Sequence, residues 1–358
     1  MNPAPPERLA SLDAYRGLIM LTLLCGGIFH SLKGNADWSW LYVQNEHVVW
    51  EGCVYWDLIQ PSFMFMVGVA MPFALLRRAS LGASWGQQLR HVLLRALNLV
   101  VLGILLDNFG SEKIQIGFIR VLQQIAFGYV AAFFVVGRSF LTQGAAAALI
   151  LAGYQLAWMF NPYNGAGGPW AVGNENLGSA FDQWLLGRNY SGYYVGLNAV
   201  PSTATIIFGV MAGQLLSLRL PAKRTAATLL AAGLGGVALG LAVSPWFPLI
   251  KRIWTPSFAV FAGGATTLIL LGFYWLIEVM GWRRWAFPLV VVGMNSIAAY
   301  VLGQVGGGWF RQATGAWIGG LEDDLGKDWF PVFQRALFAA AAWGVLYWLY
   351  RRRIFFKL

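Results

Sequence analysis

Long apolar stretches recur along this chain and leave it few folds to choose from. A helix needs roughly 20 mostly apolar residues to span the hydrocarbon core of a bilayer. Ten segments qualify: 12–31, 57–76, 91–109, 118–136, 139–160, 196–217, 225–243, 256–279, 286–305 and 331–350. Composition agrees. Only 11% of the 358 residues are charged, against about 25% in a soluble domain. The chain is 58% hydrophobic, with 18 Trp and 24 Phe. The expected fold is therefore all-α, a polytopic membrane bundle of about ten helices. It forms a single domain over 1–358, with no convincing internal repeat and no linker between soluble units.

A net charge of +10 does not point to nucleic acid in such a chain. Lys and Arg collect in cytoplasmic loops and set orientation. With the N-terminus inside, inner segments hold 16 of the 25 Lys and Arg, among them Arg8, Arg16, Arg77, Arg78, Arg90, Arg95 and Lys357. Outer segments hold 7, including Lys251 and Arg252. An N-in, C-in, multi-pass protein of a cell inner membrane is expected, with the lipid bilayer as a partner. The first apolar stretch, Gly17 to Phe29, lacks a small-x-small cleavage site and reads as a retained span. Cys25 and Cys53 have no metal-ligand spacing, so no metal is expected. Both lie toward the outer face, which leaves a disulfide open.

The chemistry concentrates where a polar aromatic loop runs into the second apolar segment, from His47 through Trp50, Glu51, Cys53 and Asp57 to Gly68. Ionisable groups at the edge of the hydrocarbon are costly unless they face protein or water, so they mark a candidate functional site. An interfacial aromatic belt is the plainer alternative. The longest outer loop, Asn161 to Val195, mixes Trp and Tyr with Asn, Asp and Glu. Rings can stack on a sugar while amides and carboxylates bond its hydroxyls, or the same rings can simply anchor the loop at the interface. Polar residues also lie inside spans: Asn98, Asp107, Arg120, Gln123, Gln124, Asn198, Thr205, Ser257 and Asn295. Most such groups bond between helices. Arg120 requires an anionic partner, a carboxylate or a ligand phosphate.

These motifs resemble a known family. Arg8-Leu-Ala-Ser11-Leu12-Asp13-Ala-Tyr15-Arg16-Gly17 is similar to its N-terminal signature. His47, Trp50, Gly52, Asp57, Leu58, Pro61 and Phe63 match a central motif without a gap. Val121-Leu122-Gln123, Gly209-Val-Met-Ala-Gly213, Trp254-Thr255-Pro-Ser257-Phe258 and Gly293-Met294-Asn295-Ser296 match further on. The family is that of heparan-α-glucosaminide N-acetyltransferase and its bacterial relatives. The resemblance implies a membrane acyltransferase that takes acetyl-CoA from the cytoplasm and delivers the acetyl group to an amino-sugar acceptor at the outer face, with His47 as the active histidine. Departures occur at Cys25-Gly26-Gly27 and at Gly117 to Gln124, where both family arginines are missing and Arg120 stands at a new place.

Residue chemistry fits that expectation. An amine attacking a thioester must lose a proton, and histidine is a base suited to neutral pH. Asp57 is expected to orient the imidazole, with Glu51 the other candidate. Acetylation of His47 itself is the alternative route. Trp50, Glu51, Arg120, Gln123 and Trp254 are expected acceptor contacts. Arg16, Arg90 and Arg95 are expected at the donor phosphates, with Ser257 and Asn295 along its pantetheine arm. An amino-sugar transporter and a polysaccharide O-acetyltransferase are the other readings. The oligomeric state stays open, a homodimer among the options.

Overall fold

The computed structural model describes residues 9–356. Arg8 and Lys357, counted above, lie outside them. In chain order the helices are α1 (Ala10–Leu24), α2 (Ser39–Gln44), α3 (Ile59–Ser80), α4 (Trp85–Asp107), α5 (Val121–Phe133), α6 (Phe140–Met159), α7 (Leu177–Leu186), α8 (Ala199–Ser217), α9 (Ala222–Val243), α10 (Pro256–Tyr274), α11 (Phe287–Met294), α12 (Ser296–Ile318) and α13 (Leu321–Arg351). Short 3-10 turns precede α3 and α8, and a π-helical turn, Trp275–Val279, extends α10. No strand occurs among the described residues, only one isolated antiparallel bridge between Glu51 and Ile250.

The molecule is thus an all-helical, multi-pass bundle. Its central pair is α3 and α8, whose apolar stretches are the most buried. Around them, α5 and α6 pack on α8, α10 packs on both, and α1 leans on α3, α10, α11 and α12. The peripheral helices, α4, α6, α9 and α13, turn much of their surface outward. Small residues allow the central contact. At Gly68 a Cβ would sit 2.0 Å from the Ile206 carbonyl oxygen, and at Gly209 one would sit 2.0 Å from that of Phe65. Only glycine lets two membrane helices approach backbone to backbone in this way.

All ten expected segments carry helix, but ten full spans are not found. Seven helices among the described residues are long and apolar enough to cross a membrane, or eight if a bent pair counts as one span. The first segment ends early: α1 has 15 residues and stops at a turn where Gly27 takes φ +70°. The fourth is short because an irregular stretch occupies 111–120. Its helix, α5, has 13 residues, about 20 Å at 1.5 Å per residue. The ninth is broken. Asn295 leaves the helical region at φ −124°, ψ 43°, and α11 and α12 meet at 84°.

The break has its own hydrogen-bond partners. Asn295 Nδ2 donates to the Ile354 carbonyl at 2.9 Å and its Oδ1 accepts from the Phe356 N–H at 3.1 Å. The side chain expected to contact pantetheine instead ties the end of α13 to the bend. Cys25 and Cys53 are free thiols, so the open question of a disulfide closes against it.

Candidate active site

The site is built where the loop before α3 meets the loop before α10. The 3-10 turn Tyr55–Leu58 places Asp57 directly ahead of α3, fully buried. Its Oδ2 accepts from the N–H groups of Val54 at 3.3 Å and Val48 at 3.4 Å. These bonds fold residues 47–57 around the carboxylate and bring His47 to it. His47 Nδ1 lies 2.7 Å from Asp57 Oδ1.

Lys251 completes the group. Its Nζ is 3.5 Å from Asp57 Oδ1 and 3.1 Å from His47 Nδ1, and its side chain is 4% exposed. Lysine is almost never buried unless paired. The loop carrying it is pinned on all sides. Thr255 Oγ1 and Ser257 Oγ both donate to the Pro248 carbonyl, at 2.7 and 3.0 Å. Tyr154 OH donates to Ile253 O at 2.8 Å, and Asn198 Nδ2 to Arg252 O at 3.1 Å. Gly52 N–H donates to Leu249 O at 2.8 Å. Arg252 then clamps the neighbours: it donates to Val48 O at 3.2 Å and to Gly192 O, and its guanidinium lies 5.1 Å from the Tyr194 ring centre. Trp56 and Tyr194 flank the imidazole, with ring centres 6.3 and 6.4 Å away.

Proton positions follow from this geometry. If Nδ1 accepted from Lys251, its lone pair would face a carboxylate oxygen 2.7 Å away. The favourable arrangement has Nδ1–H donating to Asp57 while Lys251 also donates to Asp57. Nε2 is then unprotonated, and no described residue bonds it. The His47 side chain is 36% exposed, so Nε2 can meet a ligand. Burial, helped by the Lys251 and Arg252 charges, lowers the imidazole below its ordinary range despite Asp57. His47 is therefore neutral at pH 7 and can accept a proton. Burial pushes Lys251 down to about 8, with Asp57 opposing. Burial and Asp57 push Cys53 up to about 12, so it stays an unreactive thiol.

Sequence similarity agrees with this chemistry. The chain is similar to heparan-α-glucosaminide N-acetyltransferase. It is 25% identical to the Homo sapiens protein over 99% of this chain and 60% of that one. It is 23% identical to the Mus musculus protein over 98% of this chain and 61% of that one. The family-level resemblance read from the motifs is thereby borne out. The chain spans about 60% of the length of these curated relatives. No family model matches it.

The expected residues divide between places. His47 and Asp57 meet, and Asp57 rather than Glu51 orients the imidazole; the Glu51 side chain is exposed. Trp50 packs in a small core with Tyr154, Trp158 and Ile253, and its indole donates to Trp170 O at 2.8 Å. The aromatic outer loop is thus cemented to the site through its backbone, by a ring outside it. Trp254 is fully buried at φ +53°, its indole 3.4 Å from Thr205 Oγ1. Arg120 pairs with Asp107 and donates to Gln304 Oε1 at 2.7 Å, which supplies the anionic partner it required. Gln123 Nε2 reaches Asp107 Oδ2 and Gly117 O, both at 3.2 Å, while its buried Oε1 has no partner. Gln124 links Gln60, at 2.5 Å, to Asn198.

The donor candidates are spread out. Arg16 lies 3.6 Å from Asp13 Oδ1 on α1, and Arg90 is exposed on α4. Arg95 lies over the Tyr129 ring at 4.9 Å, its Nε buried without a partner. Lys251, Arg252 and Tyr194 were missed as site residues. The available signal was a Lys-Arg pair set between Leu249-Ile250 and Ile253-Trp254, charges where an apolar loop would not otherwise carry them.

Asp182 offers a separate test of the loop. It is buried on α7, and both its oxygens accept from Gly196 N–H, at 3.1 and 2.9 Å. Burial raises it to about 6. Its folded pKa exceeds the unfolded value of about 3.9. Its stabilising contribution is therefore full below pH 4 and is lost as pH rises through 6. Asp182→Asn keeps an acceptor for Gly196 without the charge. At pH 8 it should melt higher than wild type, by up to about 3 kcal/mol, and the gap should close by pH 4–5. Thermal melts across that range check it; a constant gap would remove Asp182 from the pH response.

Proposed function

We propose that this protein is a membrane-embedded N-acetyltransferase that moves an acetyl group from acetyl-CoA to the amine of a glucosamine-type sugar. The observation that carries the reading is the His47–Asp57 pair, with Nδ1 occupied and Nε2 open. As the amine nitrogen attacks the thioester carbonyl carbon, His47 Nε2 takes the amine proton. The C–S bond then breaks, and the imidazolium returns that proton to the departing sulfur. Asp57 holds the tautomer and steadies the transient imidazolium.

The charge asymmetry supports both termini inside, a reading in which His47 lies at the outer face. In the same reading the opposite end of α3 lies at the cytoplasmic face of a cell inner membrane. There a cavity of about 770 Å³ opens among the ends of α3, α4, α5 and α8, bordered by Trp85, Gln88, Gln214 and Arg219. Arg77 and Arg78 lie in the last turn of α3 beside it. This mouth suits the multiply anionic end of the donor, which should not cross hydrocarbon. Arg95 and Arg90 rise from the adjacent helix. Ser257 and Asn295, engaged with Pro248 and with the C-terminal segment, are less suited to hold the donor.

The broken α11–α12 pair is the one observation on the side of a transporter, where discontinuous helices line the substrate path. Here the Asn295 side chain bonds protein backbone. Purified protein given acetyl-CoA and glucosamine should release CoA and form the N-acetylated sugar. Neutral sugars should not replace glucosamine. Binding of glucosamine without CoA release would favour transport, and turnover with neutral sugars would favour O-transfer.

A further inference from the structure

We propose that Lys251 is a positioning residue for this reaction: its ammonium, held against Asp57, keeps the His47 imidazole neutral and its Nδ1 proton on the carboxylate side, so that Nε2 stands ready as the base. The inference rests on the acetyl-transfer reading above.

A buried carboxylate alone beside an imidazole would be a poor arrangement for a base. An opposite charge within 4–6 Å favours the charged form of a titrating group by about 1–3 pKa units. Asp57 at 2.7 Å would therefore favour imidazolium, a base already protonated before the amine arrives. Lys251 prevents this by sharing the same oxygen. Its Nζ lies 3.5 Å from Asp57 Oδ1, so the carboxylate and ammonium form a near-neutral pair in front of the ring. The ammonium also lies 3.1 Å from Nδ1, where a second positive charge on the ring would be repelled.

The other groups facing His47 do not replace this effect. From the same loop, Arg252 adds a positive charge but is directed to Val48 O, Gly192 O and the Tyr194 ring. Cys53 is an uncharged thiol at neutral pH. Trp56 carries no charge, and Tyr194 contributes a phenol. Asp57 is the only carboxylate among the groups that bias His47. Lys251 is held in place by a loop whose carbonyls at Pro248, Leu249, Arg252 and Ile253 are all bonded. A solvated surface lysine would need no such support.

Two readouts test the proposal. The first is the acid limb of the kcat/KM profile between pH 5 and 9. Lys251→Met should move that limb up by about 1 unit or more, with activity lost at pH 7 and regained toward pH 9. Lys251→Arg, which keeps the charge, should leave the limb near its wild-type position. The second readout needs no turnover. In a His30→Gln, His91→Gln background, His47 is the only one of the three histidines left. The rate of its carbethoxylation then follows the neutral imidazole. The midpoint should rise in Lys251→Met, fall in Asp57→Asn and return toward wild type in the double variant. Lys251→Gln is the substitute if Lys251→Met does not give folded protein. An unmoved midpoint in the neutral variants, with kcat lowered equally at every pH, would make Lys251 a structural group only and overturn the proposal. A moved midpoint in a protein that acetylates no amino sugar would refute the proposed function, and the positioning role in that reaction with it, while showing that Lys251 still sets the protonation of His47.

Discussion

His47→Ala is expected to lower kcat for acetyl transfer by about 10²–10⁴-fold, the usual contribution of a positioned acid–base group. The fold should survive. The side chain is partly exposed, and Asp57 keeps Lys251 and two backbone N–H groups when the ring is gone. Acetyl-CoA affinity, read by calorimetry, should stay near wild type, because the proposed donor mouth lies at the other end of α3. Asp57→Asn should be weaker in kcat than wild type while keeping His47 in place, since an amide can present its NH₂ rather than an acceptor to Nδ1. Turnover of the His47→Ala protein at the wild-type rate would leave the imidazole no chemical role.

Gly68→Ala should be among the most damaging single methyls in the protein. The added carbon meets backbone, not a side chain that can swing away: Ile206 O at 2.0 Å and Val210 N at 2.9 Å. Overpacking a core ordinarily costs about 1–3 kcal/mol, and here two helices would have to separate. The expected result is a loss of at least about 3 kcal/mol, a large part of the 5–15 kcal/mol by which proteins are stable. Thermal melting with a fluorescent thiol probe or size-exclusion recovery after heating reads this directly. Gly153→Ala on α6, with open space at the added carbon, is the control and should melt like wild type. Equal melting of both variants would show that α3 and α8 do not meet this closely.

Legibility in the sequence tracked separation along the chain. His47 and Asp57 are ten residues apart, within one contiguous motif, so their pairing could be read from spacing and residue type. Lys251 joins them from 204 residues away, and nothing local announces which loop will fold over the site. The aromatics in and around the outer loop were visible, but not their use. Trp50 and Trp158 each donate an indole N–H to a loop carbonyl, a role that ring composition alone does not separate from sugar stacking. Hydropathy located helix in every expected segment. Its ten segments exceed the seven or eight helices long and apolar enough to span among the described residues, because apolar content persists through turns such as Cys25-Gly26-Gly27 and through the Asn295 bend, where the backbone changes direction without a change in polarity. Arg120 showed its need for an anion in the sequence, while its partner Asp107 waited on the packing of α4 against α5.

The glycine contact between α3 and α8 also fixes an angle. One helical residue corresponds to 100° of rotation at 3.6 residues per turn. A slip of a single residue at Gly68 would swing Asp57 away from His47 and, at the other end of the same 22-residue helix, turn Leu76, Ala79 and Ser80 away from the cavity they border. The backbone seat works like a key in a keyway. It lets α3 rock but not spin, so the azimuth of Asp57 and that of the cavity border at the far end are set by one and the same contact halfway along the helix.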